Sequence, residues 1–138
     1  MMNDYSMLDL EIGKEEKFNV CITKEMLDTF AHLTGDVNPL HLNDTYARKS
    51  GFTGRIAYGM LTASFYSTLA GVYLPGERCL LHRCDVEWRK PVYIGDTLTV
   101  SGVVNEVDDR FGRVIIKAII VNQMGKKVSK ATLVAGVR

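Results

Sequence analysis

The amino-acid sequence predicts an α+β domain: a mostly antiparallel sheet of about five strands with one long buried helix against a face. Three observations carry that expectation. A β-forming run at residues 18–22 precedes segments of helical period. Residues 56–76 hold no formal charge and are apolar on all sides, as in a helix enclosed on most faces. Beyond Pro75-Gly76 the apolar period changes to two, the period of half-buried strands.

Each element follows in order. Residues 18–22, FNVCI, predict a short strand. Thr23 is placed to cap a helix over 24–34, where Met26, Leu27, Phe30, Ala31 and Leu33 recur at helical spacing and Gly35 supplies a stop. Pro39 lacks an N–H and disfavours helical geometry at Asn38, so 36–42 cannot simply continue that helix. Asn43 can cap a short helix over 44–49, and Gly51 and Gly54 bracket a loop. The long helix is expected from about Tyr58 to Tyr73. Alternation then predicts strands at 80–89 and 97–107. Val114–Val121 reads as a strong strand, 122–125 as a turn, and Val128–Val134 as the last strand. In the first of these, Leu80, His82, Cys84, Val86 and Trp88 share the apolar side. The long helix is apolar on more sides than one sheet can cover, which predicts a partner subunit: a homodimer or higher homo-oligomer.

With 138 residues the chain fits one domain, 1–138, long enough for its own core. Apolar residues make up 46% and charged residues 24%, ordinary for a globular protein. A net charge of +1 argues against a nucleic-acid partner, which calls for a basic excess. Cys21, Cys79 and Cys84 are too few and too scattered for a disulfide framework and fit a reducing cytoplasm. The opening MMNDYSMLDLEIG has no secretory pattern. Residues 56–76 reach membrane-spanning length, but their Ser, Thr, Gly and Pro content reads as a core helix, so no membrane partner is expected.

Histidine is scarce. His32 reads as a surface or helix-edge residue and His82 as a core or pocket-wall one. Cys79, His82 and Cys84 make a poor metal set, because Cys79 and Cys84 point to opposite faces of one strand. His41 is different, following Asp36 across a proline-constrained loop. Its charge can change near neutral pH. A carboxylate and an imidazole can hold one water from two sides and deliver OH and H to adjacent carbons. Spacing alone is weak evidence, and the plainer reading is a capping Asp and a loop His.

The string FAHLTGDVNPLHLNDTYARKSGF, residues 30–52, resembles the hydratase motif of the MaoC-like (R)-specific enoyl-CoA hydratases. Gly35, Asp36, Asn38, Pro39 and His41 match its G-D-x-N-P-x-H core. RIAYGMLTASFYSTLAG resembles that family's central helix, and WRKPVYIGDTL its Pro-Val…Gly-Asp segment. The resemblance spans residues 15–136. It implies a hot-dog fold, a curled antiparallel sheet around a long helix. It also implies reversible hydration of trans-2-enoyl thioesters carried on coenzyme A or on the phosphopantetheine of an acyl carrier protein, with no metal or further cofactor.

Roles follow from the resemblance, residue by residue. Asp36 matches the aspartate that activates water, and His41 the histidine that shares it. Asn38 matches a loop organiser. Gly59 matches the glycine whose N–H binds the thioester oxygen at the helix N-terminus. Ser67 matches a serine supporting the aspartate. One departure stands out: where the family often has histidine before that glycine, this chain has Tyr58. Other hot-dog enzymes, thioesterases among them, place an acid on or near the central helix. Residues 56–76 contain none, which favours the hydratase over a thioesterase. An acyl-thioester-binding protein without turnover would have no need of the pair. For carrier phosphates the candidates are Arg89 and Lys90, or Arg48, Lys49 and Arg55.

Overall fold

Alternation of apolar and polar residues builds most of the sheet. The computed structural model describes residues 1–138. Its strands are β1 (Glu15–Cys21), β2 (Cys79–Trp88), β3 (Thr97–Asp108), β4 (Arg113–Val121) and β5 (Lys127–Val137). They pair antiparallel throughout, in the order β1-β3-β4-β5-β2. Leu98, Val100 and Val104 of β3, Val114, Ile116 and Ile120 of β4, and Leu133 and Ala135 of β5 are buried in one core. Lys117 and Lys130, at alternate positions, are exposed.

Helix α1 (Lys24–Thr34) has the predicted bounds. Thr23 Oγ1 accepts from Met26 N–H, and Gly35 ends the helix at φ 78°, left-handed backbone that glycine adopts without steric cost. Helices α2 (Pro39–Leu42) and α3 (Asp44–Lys49) follow, and Asn43 Oδ1 caps α3 through Tyr46 N–H. Helix α4 (Gly59–Thr68) lies against the sheet. At its far end Gly102 admits it closely: a Cβ there would come within 2.8 Å of Leu69 Cδ2. Tyr66 fixes the packing. Its hydroxyl donates to Ser129 Oγ (2.9 Å), and Ser129 donates to the Glu87 carbonyl (2.9 Å), which ties α4, β5 and β2 together.

Two expectations need correction. The central helix is not one α-helix to Tyr73: α4 stops at Thr68, and Leu69–Tyr73 form a π-helical turn. The wider turn sinks Leu69 and Ala70 fully into the core. Its end carbonyls are taken up by Asn3, whose N–H bonds Val72 O (2.8 Å) and whose Nδ2 bonds Tyr73 O (2.9 Å). Nor does residues 80–89 alternation run unbroken. A bulge between Leu81 and Arg83 leaves His82 unpaired and exposed, not on the apolar side. Its ring rests over Gly136, where a Cβ would fall 2.8 Å from the imidazole.

The sheet covers only one side of α4. Thr62 and Tyr66 are buried, while Met60 on the outer side is 64% exposed. No helix is long and apolar enough to cross a membrane.

Candidate active site

The loop from α1 to α2 is shaped by its own side chains. Asp36 N–H donates to Thr34 Oγ1 (3.2 Å), and Asp36 Oδ1 accepts from Asn38 N–H (3.2 Å). Asn38 in turn caps α2, accepting from Leu40 N–H (3.0 Å), with Pro39 in the first turn where no N–H is needed. His41 therefore sits on a short, doubly braced helix.

The tautomer of His41 follows from its partner. Nδ1 lies 2.8 Å from the Ile56 carbonyl oxygen, which can only accept, so Nδ1 carries a proton. In the neutral ring Nε2 is then left with its lone pair free to exchange one.

His41 and Gly59 share the wall of one cleft of about 330 Å³, with Phe52, Thr62, Trp88 and Val128. Gly59 is the first residue of α4, and its N–H has no partner within the chain. Its carbonyl accepts from Trp88 Nε1 (2.7 Å), and a Cβ on Gly59 would lie 3.0 Å from that nitrogen. The indole thus occupies the space that a side chain would fill.

Asp36 is exposed and does not line this cleft. Tyr58 connects it to the cleft: the Tyr58 hydroxyl donates to the Asp36 carbonyl oxygen (2.5 Å), and its ring packs on His41 with centroids 4.1 Å apart. Burial first, and then the Asp36 charge, push the Tyr58 hydroxyl above its ordinary pKa, so it stays a neutral donor. Ser67 is placed elsewhere. It faces a groove of about 560 Å³ between the open side of α4 and β2, and no hydrogen bond joins it to Asp36.

Arg55 proves to be a structural cation, not a surface one. Only 7% exposed, it donates from Nε to the His41 carbonyl (2.7 Å) and from Nη2 to Asp28 Oδ1 (2.7 Å). Its N–H donates to Asp44 Oδ1 (2.9 Å). Hydrogen bonds from Lys24 and Arg55 hold the Asp28 carboxyl below the usual range. Arg55 is thereby removed from the candidates for carrier phosphates, whereas Arg89 and Lys90 line the cleft. Sequence reasoning missed the parts played by Tyr58, Arg55 and Trp88. The chain's own signal for Arg55 was an arginine just before an uncharged run, and Tyr58 stood out only as a departure from the family pattern.

Residues 9–127 match the family described as MaoC like domain. Over 102 residues the chain is 37% identical to an (R)-specific enoyl-CoA hydratase of Rhodospirillum rubrum, covering 71% of each protein. The unliganded R-hydratase PhaJ1 of Pseudomonas aeruginosa superposes with a TM-score of 0.91 at 30% identity, over 97% of this chain and 86% of that one. The (R)-hydratase of Aeromonas caviae involved in PHA biosynthesis gives 0.90 at 28% identity, over 94% and 98%. Together with the hot-dog arrangement of sheet and helix, these matches make the chain a member of the MaoC-like domain family.

Proposed function

We propose that this protein adds water to the double bond of a trans-2-enoyl thioester to give the (R)-3-hydroxyacyl thioester, and runs the reverse dehydration. One observation carries the reading. A histidine with a fixed tautomer and an unpartnered N–H at a helix start share one cleft wall. Water supplies both fragments. Its OH goes to C3, a proton goes to C2, and Asp36 and His41 remove and return that proton. Electron density moving onto the thioester oxygen meets the Gly59 N–H, aided by the dipole of α4. Asn38 holds the loop, and the thioester itself acidifies the α-proton, so the chemistry calls for no metal or further cofactor.

Arg89 and Lys90 at the cleft suit the phosphates of coenzyme A or of a carrier protein's phosphopantetheine. A second copy of the chain covers the open side of α4, in reach of Ser67, and the free cysteines suit the cytoplasm.

The test follows loss of the conjugated thioester absorbance with a short trans-2-enoyl-CoA. Asp36→Asn and His41→Ala are each expected to lower turnover at least about 100-fold. Equal rates in the wild type and both variants would overturn the reading.

A further inference from the structure

We propose that Tyr58 is the positioning residue of this site, a phenol that sets Asp36, His41 and Gly59 relative to one another without itself moving a proton. The inference rests on the hydration reading above and assigns a role to the residue in which this chain departs from the family pattern.

Three contacts from one residue carry it. The hydroxyl grips the Asp36 carbonyl (2.5 Å), the ring packs on His41 (4.1 Å between centroids), and the peptide continues directly into Gly59. Phe30 of α1 also packs on the ring, with centroids 4.7 Å apart, and the Tyr58 carbonyl accepts from Thr62 N–H (3.1 Å) as α4 begins. The acid and the imidazole come from residues 36–41, and the oxyanion donor from the start of α4. Tyr58 is where those segments meet.

The same geometry separates positioning from catalysis. Tyr58 is only 2% exposed and is not part of the cleft wall that holds His41 and Gly59. It therefore lies behind the reacting atoms. The charged and titratable groups around it are Asp36 and His41 in front, Asp28 on α1 and Arg55 before α4. A histidine in its place would be shorter than the phenol and would not span the distance to the Asp36 carbonyl in the same way. The phenol, kept neutral by burial, holds its bond to the Asp36 backbone.

Tyr58→Phe tests this, because it keeps both ring contacts and removes only the hydroxyl. A displaced reacting group is expected to lower kcat about 10- to 100-fold, with KM within about 2-fold of wild type. The positions of both limbs of the pH–rate profile are expected to stay put, and the Asp36 carbonyl carbon resonance to move. Wild-type kcat in a folded Tyr58→Phe protein would overturn the proposal. So would disappearance of one limb of the profile, since Tyr58 would then be carrying a proton. If the wild type hydrates no enoyl thioester, the hydration reading fails by itself. The resonance then judges Tyr58 alone: an unmoved Asp36 carbonyl signal sinks the positioning role, and a displaced one supports it.

Discussion

At Gly59 the Trp88 indole leaves little room for a side chain. A methyl group at Gly59 would press on the indole at 3.0–3.3 Å and strain its bond to the Gly59 carbonyl. Trp88 is 47% exposed and can yield, so Gly59→Ala is expected to fold. If the Gly59 N–H binds the thioester oxygen as proposed, it shifts with the helix start, and kcat/KM is expected to fall by roughly 10-fold or more, up to the loss typical of a removed donor. Thermal melting measured beside kinetics separates the two effects. If kcat/KM is unchanged, the Gly59 N–H is not a donor. Asp36 and His41 stood out as candidates in the sequence through the G-D-x-N-P-x-H motif, a contiguous stretch whose loop is braced by near neighbours. The parts played by Tyr58 and Arg55 could not be read there. Their partners lie 22 and 27 positions away, and only folding brings them together.

At the scale of elements, Arg55 is the joint between α1, α2 and α3. One guanidinium and one N–H hold Asp28, the His41 carbonyl and Asp44. Arg55→Met keeps most of the volume and removes both side-chain bonds. It is expected to cost roughly 1.5–3 kcal/mol, the range for bonds to a charged group, with the lower end favoured because Asp28 is half-exposed. Chemical denaturation reads the loss, and a fall in turnover alongside it would show that the His41 carbonyl needs this anchor. An unchanged midpoint would remove the joint from the account. The helix over 24–34 was legible because its cap, period and stop are all local. The π-helical turn and the β2 bulge were not. The first depends on Asn3 taking the Val72 and Tyr73 carbonyls, the second on room above Gly136.

Across the whole molecule the order of strands and helices was readable from the change of period, and the sheet adds pairing that sequence order does not reveal. Its stability has a distinctive pH signature. Burial pushes the Tyr66 hydroxyl from its ordinary 10.0 up to about 12. Because the folded pKa is the higher one, this contribution is complete below pH 10 and is lost as pH climbs toward 12. About two pK units correspond to roughly 2–3 kcal/mol, so stability is expected to drop by about that much over the interval. Tyr66→Phe should be less stable at neutral pH and flatter above pH 10. A parallel decline in both proteins would assign the alkaline loss to other groups. The open side of α4 makes a second prediction at this scale: sedimentation is expected to give at least twice the 15.4 kDa chain mass, and a monomer would leave Met60 and its neighbours uncovered.

Trp88 is the single tryptophan of the chain, and its indole forms part of the same wall as His41 and Gly59. The protein therefore carries its own optical reporter. Any acyl thioester that enters the cleft displaces water from that indole, and the emission records occupancy without a label. Fluorescence titration of an Asp36→Asn or His41→Ala variant would then measure affinity after the chemistry has been silenced. Two questions usually entangled in one rate, whether a thioester is held and whether it reacts, become separate measurements on the same molecule.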